Sequence, residues 1–181
     1  MIRTAVGYAG GQKENPTYYK LSDHTESFQV DYDPLKISYE QLLTLFWNSH
    51  NPCSRSSSSQ YKSAVFVTNE DQQKRALISK AQKEKELGKK ILTEILLIPR
   101  FYPAEAYHQK YRLQQYQPFL KEYVEIYPEF NQFLRSTAVA RVNGYLSGYG
   151  TAENLQKEAS QLGLSKESLE RLQKMVDSSE N

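Results

Sequence analysis

A loop near the start of the sequence, GYAGGQKENPTYY, combines three glycines with the adjacent tyrosines Tyr18 and Tyr19. A tyrosine offers an apolar ring face and a polar hydroxyl tip, so this pair could line a pocket that binds a polar group. Glycine lets the backbone turn tightly or approach another group closely. The alternative is an ordinary surface loop, because Gly, Pro and Asn are common in loops of any kind.

The composition excludes several classes of protein. The 181 residues suit one domain, and a net charge of +2 gives no electrostatic case for nucleic-acid binding. No apolar run is long enough to span a membrane and no secretory signal is visible. We expect a cytoplasmic location, and mitochondrial or other targeting stays open as an alternative if the true N-terminus is missing. The single cysteine, Cys53, cannot form an internal disulfide, which fits a reducing compartment.

The pattern of apolar residues predicts strands that alternate with helices. Strands are expected near residues 2–7, 27–33, 63–68 and 91–97, and helices near 38–49, 70–87 and 103–116, with a helical extension after about 118. This alternation favours an α+β or α/β sandwich with a helical C-terminal extension.

Capping residues define the starts of three of these helices. Ser38 and Gln41 have the spacing of a capping box, in which each side chain bonds the backbone N–H of the other residue. Asn69 is expected to cap the second helix and Ser165 the last one. Gly88 marks the end of the second helix.

Four segments, taken together, resemble the A-type peptide methionine sulfoxide reductases. They are VGYAGG…NPTY, DHTESFQVDYDPLKISYEQLLTLFWNSHNP, QYKSAVF and FYPAEAYHQKY, within roughly residues 3–113, and their details are similar to a eukaryotic subgroup. The resemblance implies an α+β fold, a two-layer sandwich with a mixed, ferredoxin-like β-sheet. It also implies a reductase-like domain over residues 1–117 and a mainly helical C-terminal extension over residues 118–181.

The resemblance also implies a reaction, the reduction of methionine-S-sulfoxide to methionine in the repair of oxidised proteins. In this family a cysteine thiolate attacks sulfur, and a carboxylic acid, helped by tyrosine hydroxyls, protonates the departing oxygen. The matching positions are Glu26 for the acid and Tyr18 and Tyr61 for the tyrosines, and all three bind the sulfoxide. A carboxyl in an apolar, tyrosine-lined pocket can donate a proton near neutral pH, because the pocket disfavours its charged form. His24 is expected to order the loop by hydrogen bonds.

The partners implied by the resemblance are methionine-sulfoxide-containing proteins or free methionine sulfoxide, with thioredoxin or dithiothreitol as the reductant. No metal and no bound cofactor are expected, and neither nucleic acid nor a membrane is an expected partner.

The sequence departs from the family in the segment that carries the nucleophile. The family's Gly-Cys-Phe-Trp-Gly segment, expected upstream of the GYAGG loop, does not occur. The alternatives are an incomplete gene model, a shortened isoform, or a C-terminal extension that completes the sheet, and we favour the first two, which make the sequence N-terminally truncated. Cys53 stands where the family usually has threonine, and we predict that it is not the nucleophile. Ser56 stands where many members have an aspartate.

Two hypotheses follow for these residues. The first is a methionine-S-sulfoxide reductase by descent, in which the present sequence is weakly active or inactive without the nucleophile segment. The second is a non-catalytic module that retains Tyr18, Glu26 and Tyr61 to bind a sulfoxide or a peptide but does no redox chemistry.

Overall fold

The computed structural model describes residues 2–98 and 100–179. Its strands are β1 (Arg3–Ala9), β2 (Thr25–Asp31), β3 (Ala64–Val67), β4 (Glu94–Leu97) and β5 (Phe101–Pro103). Its α-helices are α1 (Tyr39–Asn48), α2 (Glu70–Leu87), α3 (Tyr111–Gln114), α4 (Gln117–Ile126), α5 (Phe130–Arg135), α6 (Thr137–Tyr145), α7 (Ala152–Glu158) and α8 (Lys166–Ser179), with 3-10 turns at Ala106–His108 and Ala159–Gln161. Met1, Pro99 and residues 180–181, which belong to the predicted domains, lie outside the described residues.

The chain divides into two compact units. The sheet unit is Val6–Glu105, and the helical unit consists of the residues up to Ala5 together with those from Ala106 onward. The boundary between residues 117 and 118 that the resemblance implies stays a prediction. In the described part of the chain, none of the helices has the length and apolar character needed to cross a membrane.

The five strands described form two sheets, where the sequence predicts one mixed sheet. In the first sheet β1 lies between β2 and β5, and it pairs with β5 in antiparallel fashion, with Tyr8 opposite Tyr102. In the second sheet β3 and β4 run parallel, from Ala64 opposite Glu94 to Val67 opposite Leu97. The mixed α+β character is confirmed, and within the described residues no strand pairing joins the two sheets.

The core of the sheet unit lies where α1 and α2 pack on the β3–β4 pair. Its buried apolar residues are Leu43, Trp47, Val67, Ala76 and Ile91. The indole Nε1 of Trp47 donates a hydrogen bond to Ser79 Oγ at 2.8 Å, so the buried ring keeps a polar partner.

Local signals predicted α1 and α2 well. Ser38 and Gln41 form the capping box at the start of α1. Asn69 accepts a hydrogen bond from the backbone of Gln72 at the start of α2, and Gly88 ends that helix in the left-handed conformation. These predictions are confirmed because caps depend on residues close in sequence.

The predicted helix over residues 103–116 is wrong. Pro103 ends strand β5, and the next backbone N–H, that of Ala104, donates to Val6 O at 3.0 Å. A 3-10 turn and the short helix α3 follow, and Lys110, between them, adopts a positive φ of 51°. The left-handed backbone of Lys110 interrupts a helix at that position. The first residue of the predicted helix, Pro103, belongs instead to strand β5, which pairs with β1.

The helical unit has a core of its own, to which α3–α8 contribute. Its fully buried side chains include Leu113, Phe119, Tyr123, Val139, Val142, Leu162 and Leu172. The hydroxyl of Tyr123 donates to Leu162 O at 2.8 Å. Ser165 accepts from the backbone N–H of Ser168 at 3.2 Å, which confirms it as the cap of α8.

Candidate functional site

The first glycines of the glycine-rich loop pack closely against strands β3 and β5. A side chain at Gly7 would collide with the carbonyl oxygen of Tyr102 on the paired strand β5. Gly10 has a φ of +82°, and a Cβ there would lie 2.5 Å from the ring of Phe66. Glycine at these two positions therefore serves close packing and a left-handed turn, which explains why this loop needs it.

A buried histidine orders the same loop. The backbone N–H of Gly11 donates to Nδ1 of His24 at 3.2 Å, and Nε2 lies 2.7 Å from the carbonyl oxygen of Lys13. Because Nδ1 accepts a hydrogen bond and a carbonyl can only accept, the ring is the neutral form with its proton on Nε2. The prediction that His24 is a loop-ordering residue is confirmed.

Asp23 holds the neighbouring part of the loop. Its carboxylate accepts a hydrogen bond from the backbone N–H of Gln12 at 2.8 Å. This hydrogen bond lowers the pKa of Asp23, since it stabilises the charged form. The two side chains, Asp23 and His24, together fix the backbone between Gly11 and Lys13.

Glu26 lies in strand β2, not in a loop. The strand begins two residues earlier than predicted, because the Glu26 N–H donates to Gln60 O at 3.0 Å and the hydroxyl of Thr25 donates to Ser59 O at 2.9 Å. These bonds tie the start of β2 to the segment before β3. Phe28 points to the same face of the strand as Glu26, and it is 63% exposed.

The structure brings the three predicted site residues together. The side-chain amide of Gln60 donates to Oε1 of Glu26 at 2.7 Å and to the hydroxyl oxygen of Tyr61 at 3.1 Å. The negative charge of Glu26 raises the pKa of Tyr61, with smaller contributions from burial and from a hydrogen bond with Tyr18. Tyr18, Glu26, Gln60 and Tyr61 are called the carboxyl–tyrosine cluster below.

The cluster is open to solvent. Tyr18 is 37% exposed and Tyr61 is 61% exposed, and the side chain of Glu26 is also exposed. The arrangement differs in this respect from the apolar, tyrosine-lined pocket that the resemblance implies. Two hydroxyls and one carboxyl at an open surface can give hydrogen bonds to an oxygen acceptor on an incoming molecule.

Sequence reasoning missed two side chains that support the cluster. One is Gln60, and the other is Glu105, whose Oε1 accepts from the backbone N–H of Tyr18 at 3.0 Å. Glu105 also accepts from the hydroxyl of Tyr8 through Oε2. Both belong to segments that carry the resemblance, QYKSAVF and FYPAEAYHQKY, but the contacts of Gln60 with Glu26 and of Glu105 with Tyr18 join residues far apart in sequence.

Cys53 and Ser56 lie in the long segment between α1 and β3. Cys53 is half-buried and packs against the core of the sheet unit, and its backbone N–H donates to Asn51 Oδ1 at 3.1 Å. Ser56 donates from its hydroxyl to Ser58 O and accepts from Ser58 N–H, so it closes its own turn. That Cys53 is not a nucleophile stays a prediction. Within the described residues, no group of three or more His, Cys, Asp or Glu side chains is arranged to hold a metal ion.

The fold has solved counterparts. The reduced form of Mxr1 from Saccharomyces cerevisiae matches with a TM-score of 0.57 and 30% identity, over 63% of this chain and 71% of that one. Methionine sulfoxide reductase A of Corynebacterium diphtheriae matches with a TM-score of 0.55 and 31% identity, over 63% of each chain.

Sequence comparison covers more of the chain. A peptide methionine sulfoxide reductase from Drosophila melanogaster is 42% identical over 91% of this chain and 66% of its own length. Peptide methionine sulfoxide reductase A5 from Oryza sativa is 40% identical over 80% of this chain and 59% of its own length. The chain thus spans less than two thirds of the length of either relative.

The fold is that of an α+β protein of the kind that these solved structures represent. The family model described as peptide methionine sulfoxide reductase matches residues 1–141. The chain belongs to the peptide methionine sulfoxide reductase family. The match extends past the segments that carry the resemblance and includes most of α6.

Proposed function

We propose that the protein is a peptide-methionine (S)-S-oxide reductase, an oxidoreductase that returns methionine-S-sulfoxide in proteins to methionine. In this proposal Tyr18, Glu26 and Tyr61 bind the sulfoxide oxygen. The observation that supports it most is that the side-chain amide of Gln60 donates hydrogen bonds to both Glu26 and Tyr61. These bonds bring together residues from two motifs that are distant in sequence.

The chemistry of these side chains suits a sulfoxide oxygen. That oxygen only accepts hydrogen bonds, and a tyrosine hydroxyl donates one. A tyrosine hydroxyl ordinarily keeps its proton at neutral pH, and the charge of Glu26 raises the pKa of Tyr61 further, so Tyr61 stays a donor. In its acid form Glu26 can pass a proton to the oxygen as the S–O bond breaks, which is general acid catalysis worth roughly 10²–10⁴-fold in rate.

The overall reaction balances with two thiols. The sulfoxide sulfur gains two electrons, the two thiol sulfurs lose them and join as a disulfide, and the oxygen leaves as water with two protons. The cluster contains no thiol, and we do not assign the attacking thiol to Cys53. We propose a thioredoxin-type dithiol as the reductant, with no bound cofactor.

The finer fold and location remain proposals as well. We infer that the reductase-like domain is a two-layer, ferredoxin-like sandwich over residues 1–117, followed by a helical extension over residues 118–181, in a cytoplasmic protein. The likeness to the yeast and corynebacterial structures supports the sandwich, as does the coexistence of antiparallel and parallel strand pairs.

Stereospecific binding tests the proposed function. We expect methionine-S-sulfoxide, and not its R epimer, to shift the NMR signals of Tyr18, Glu26 and Tyr61. Tyr61→Phe removes a hydrogen-bond donor, and Glu26→Ala removes the carboxyl that donates in its acid form, so each should weaken binding roughly two- to tenfold. Glu14→Ala and Tyr19→Phe, at exposed positions of the glycine-rich loop, are the matched controls. Equal binding of both epimers, or equal losses in the controls, would show that the cluster is not a sulfoxide site.

A further inference from the structure

The amide of Gln60 contacts both reactive groups of the cluster. Its Nε2 lies 2.7 Å from Glu26 Oε1 and 3.1 Å from the hydroxyl oxygen of Tyr61. A carboxylate oxygen can only accept, which requires the NH₂ end of the amide to face Glu26. The two N–H groups of that end then serve the two oxygens, one each.

Because Gln60 is the donor in both hydrogen bonds, it determines where the acid proton of Glu26 and the hydroxyl proton of Tyr61 can lie. Because Oε1 of Glu26 is occupied as an acceptor, the acid form of the carboxyl carries its proton on Oε2. Because the Tyr61 oxygen accepts from Gln60, the Tyr61 hydroxyl hydrogen points away from Gln60, toward Tyr18 or an incoming acceptor. The hydrogen bond between Tyr61 and Tyr18 contributes to the raised pKa of Tyr61, as expected when Tyr61 is the donor.

The backbone of Gln60 is held independently of its side chain. Its carbonyl oxygen accepts from the Glu26 N–H at 3.0 Å, and the preceding carbonyl, that of Ser59, accepts from the Thr25 hydroxyl at 2.9 Å. A substitution of the Gln60 side chain therefore keeps the bonds that place the segment beside β2. Ser56, the position where many family members have an aspartate, bonds within its own turn.

We propose that Gln60 is a positioning residue that keeps the acid proton of Glu26 on Oε2 and turns the Tyr61 hydroxyl toward the ligand oxygen. The role as an aid to sulfoxide binding rests on the proposed function, but the hydrogen-bond arrangement can be measured without any ligand. Gln60 would thus act through its two neighbours and would not itself touch the reacting atoms.

The first measurement is a pH titration of Tyr61 by NMR with ¹³C-labelled tyrosine, assigned with Tyr61→Phe. Gln60→Met keeps the length of the side chain and removes its donor. Since an N–H donor favours the phenolate, its loss should raise the pKa of Tyr61 further. The matched control is Gln29→Met, because Gln29 is an exposed glutamine of β2 whose amide donates to Asp31 at 2.9 Å. An unchanged Tyr61 titration in Gln60→Met, or an equal shift in Gln29→Met, overturns the inference.

The second measurement is the binding of methionine-S-sulfoxide as a function of pH. Gln60→Met should weaken binding roughly two- to tenfold at neutral pH and change its pH dependence, whereas Gln29→Met should change neither. A Gln60→Met protein that binds with the affinity and pH profile of the wild type overturns the positioning role. If the wild type binds no sulfoxide while Gln60→Met still shifts the Tyr61 titration, the proposed function fails and the hydrogen-bond role of Gln60 stands.

Discussion

The hydroxyl of Tyr8 donates a 2.6 Å hydrogen bond to Oε2 of Glu105, across 97 positions of the sequence. The other oxygen of the same carboxylate accepts from the backbone N–H of Tyr18 at 3.0 Å. Glu105 therefore ties the buried end of β1 to the loop that carries Tyr18. The position of Tyr18 in the carboxyl–tyrosine cluster depends on this link, although neither Tyr8 nor Glu105 belongs to the cluster.

We expect Tyr8→Phe to lower the free energy of unfolding by about 2 kcal/mol, because it removes a part-buried hydrogen bond to a charged group. Urea denaturation measures the effect. Tyr19→Phe is the matched control, since Tyr19 is 87% exposed, and it should change stability little. Equal effects of the two substitutions would mean that the Tyr8–Glu105 bond does not stabilise the fold.

The loop should loosen when His24 is replaced by leucine. The substitution removes both hydrogen bonds of the ring, to Gly11 N–H and to Lys13 O, and should cost about 2 kcal/mol in stability. Amide hydrogen exchange at Gly11 should become faster than in the wild type. Glu14→Gln, an exposed change in the same loop, serves as the control. Unchanged exchange at Gly11 would refute the ordering role of His24.

Lys110 gives the helical unit a pH-dependent stability. Its ammonium group is buried and donates to the carbonyl and the hydroxyl of Thr4, and burial lowers the pKa of Lys110 to about 8. The unfolded chain, with a pKa near 10.5, binds more protons than the folded chain between pH 8 and 10.5. The buried charge of Lys110 therefore destabilises the folded state below pH 8. Its contribution makes the free energy of unfolding rise as the pH increases from 8 to 10.5.

The test compares the wild type with Lys110→Met, so that other titrating groups cancel. From pH 7 to pH 10, the stability of the wild type should rise relative to the variant, by at most about 3 kcal/mol. Lys166→Met, at an exposed position at the start of α8, is the control. A difference between wild type and Lys110→Met that stays constant over this range would contradict the depressed pKa.

The last prediction concerns the one thiol in these 181 residues, Cys53. With dithiothreitol, we expect these 181 residues by themselves to reduce methionine-S-sulfoxide only at the background rate, because the proposed reaction needs an attacking thiol and their one thiol, Cys53, packs against the core of the sheet unit. Cys53→Ser should leave that rate unchanged. Robust turnover that disappears in Cys53→Ser would make Cys53 the nucleophile and overturn this expectation.

Several features could be predicted from the sequence because they depend on close neighbours. The capping box of Ser38 and Gln41, the Asn69 cap and the left-handed Gly88 are each fixed by residues within one turn of helix. The motif pattern also predicted that the side chains of Tyr18, Glu26 and Tyr61 lie close together. The mixed α and β character followed from the alternation of strand and helix patterns.

Only the tertiary structure decided how those residues are held. Pro103 could begin a helix or end a strand, and the pairing of β5 with β1 settled the choice. Strand β2 begins at Thr25, two residues before the predicted start, because the Glu26 N–H donates to the carbonyl oxygen of Gln60, 34 positions away.

The sequence by itself therefore determined the family, the local caps and the candidate site residues. The tertiary structure decided that Gln60 and Glu105 support that site and that Lys110 is buried against Thr4. The physical reason is distance along the chain. A cap is a bond between neighbours and leaves a pattern of residue types, whereas a bond across 34, 87 or 97 positions exists only once the strands have paired.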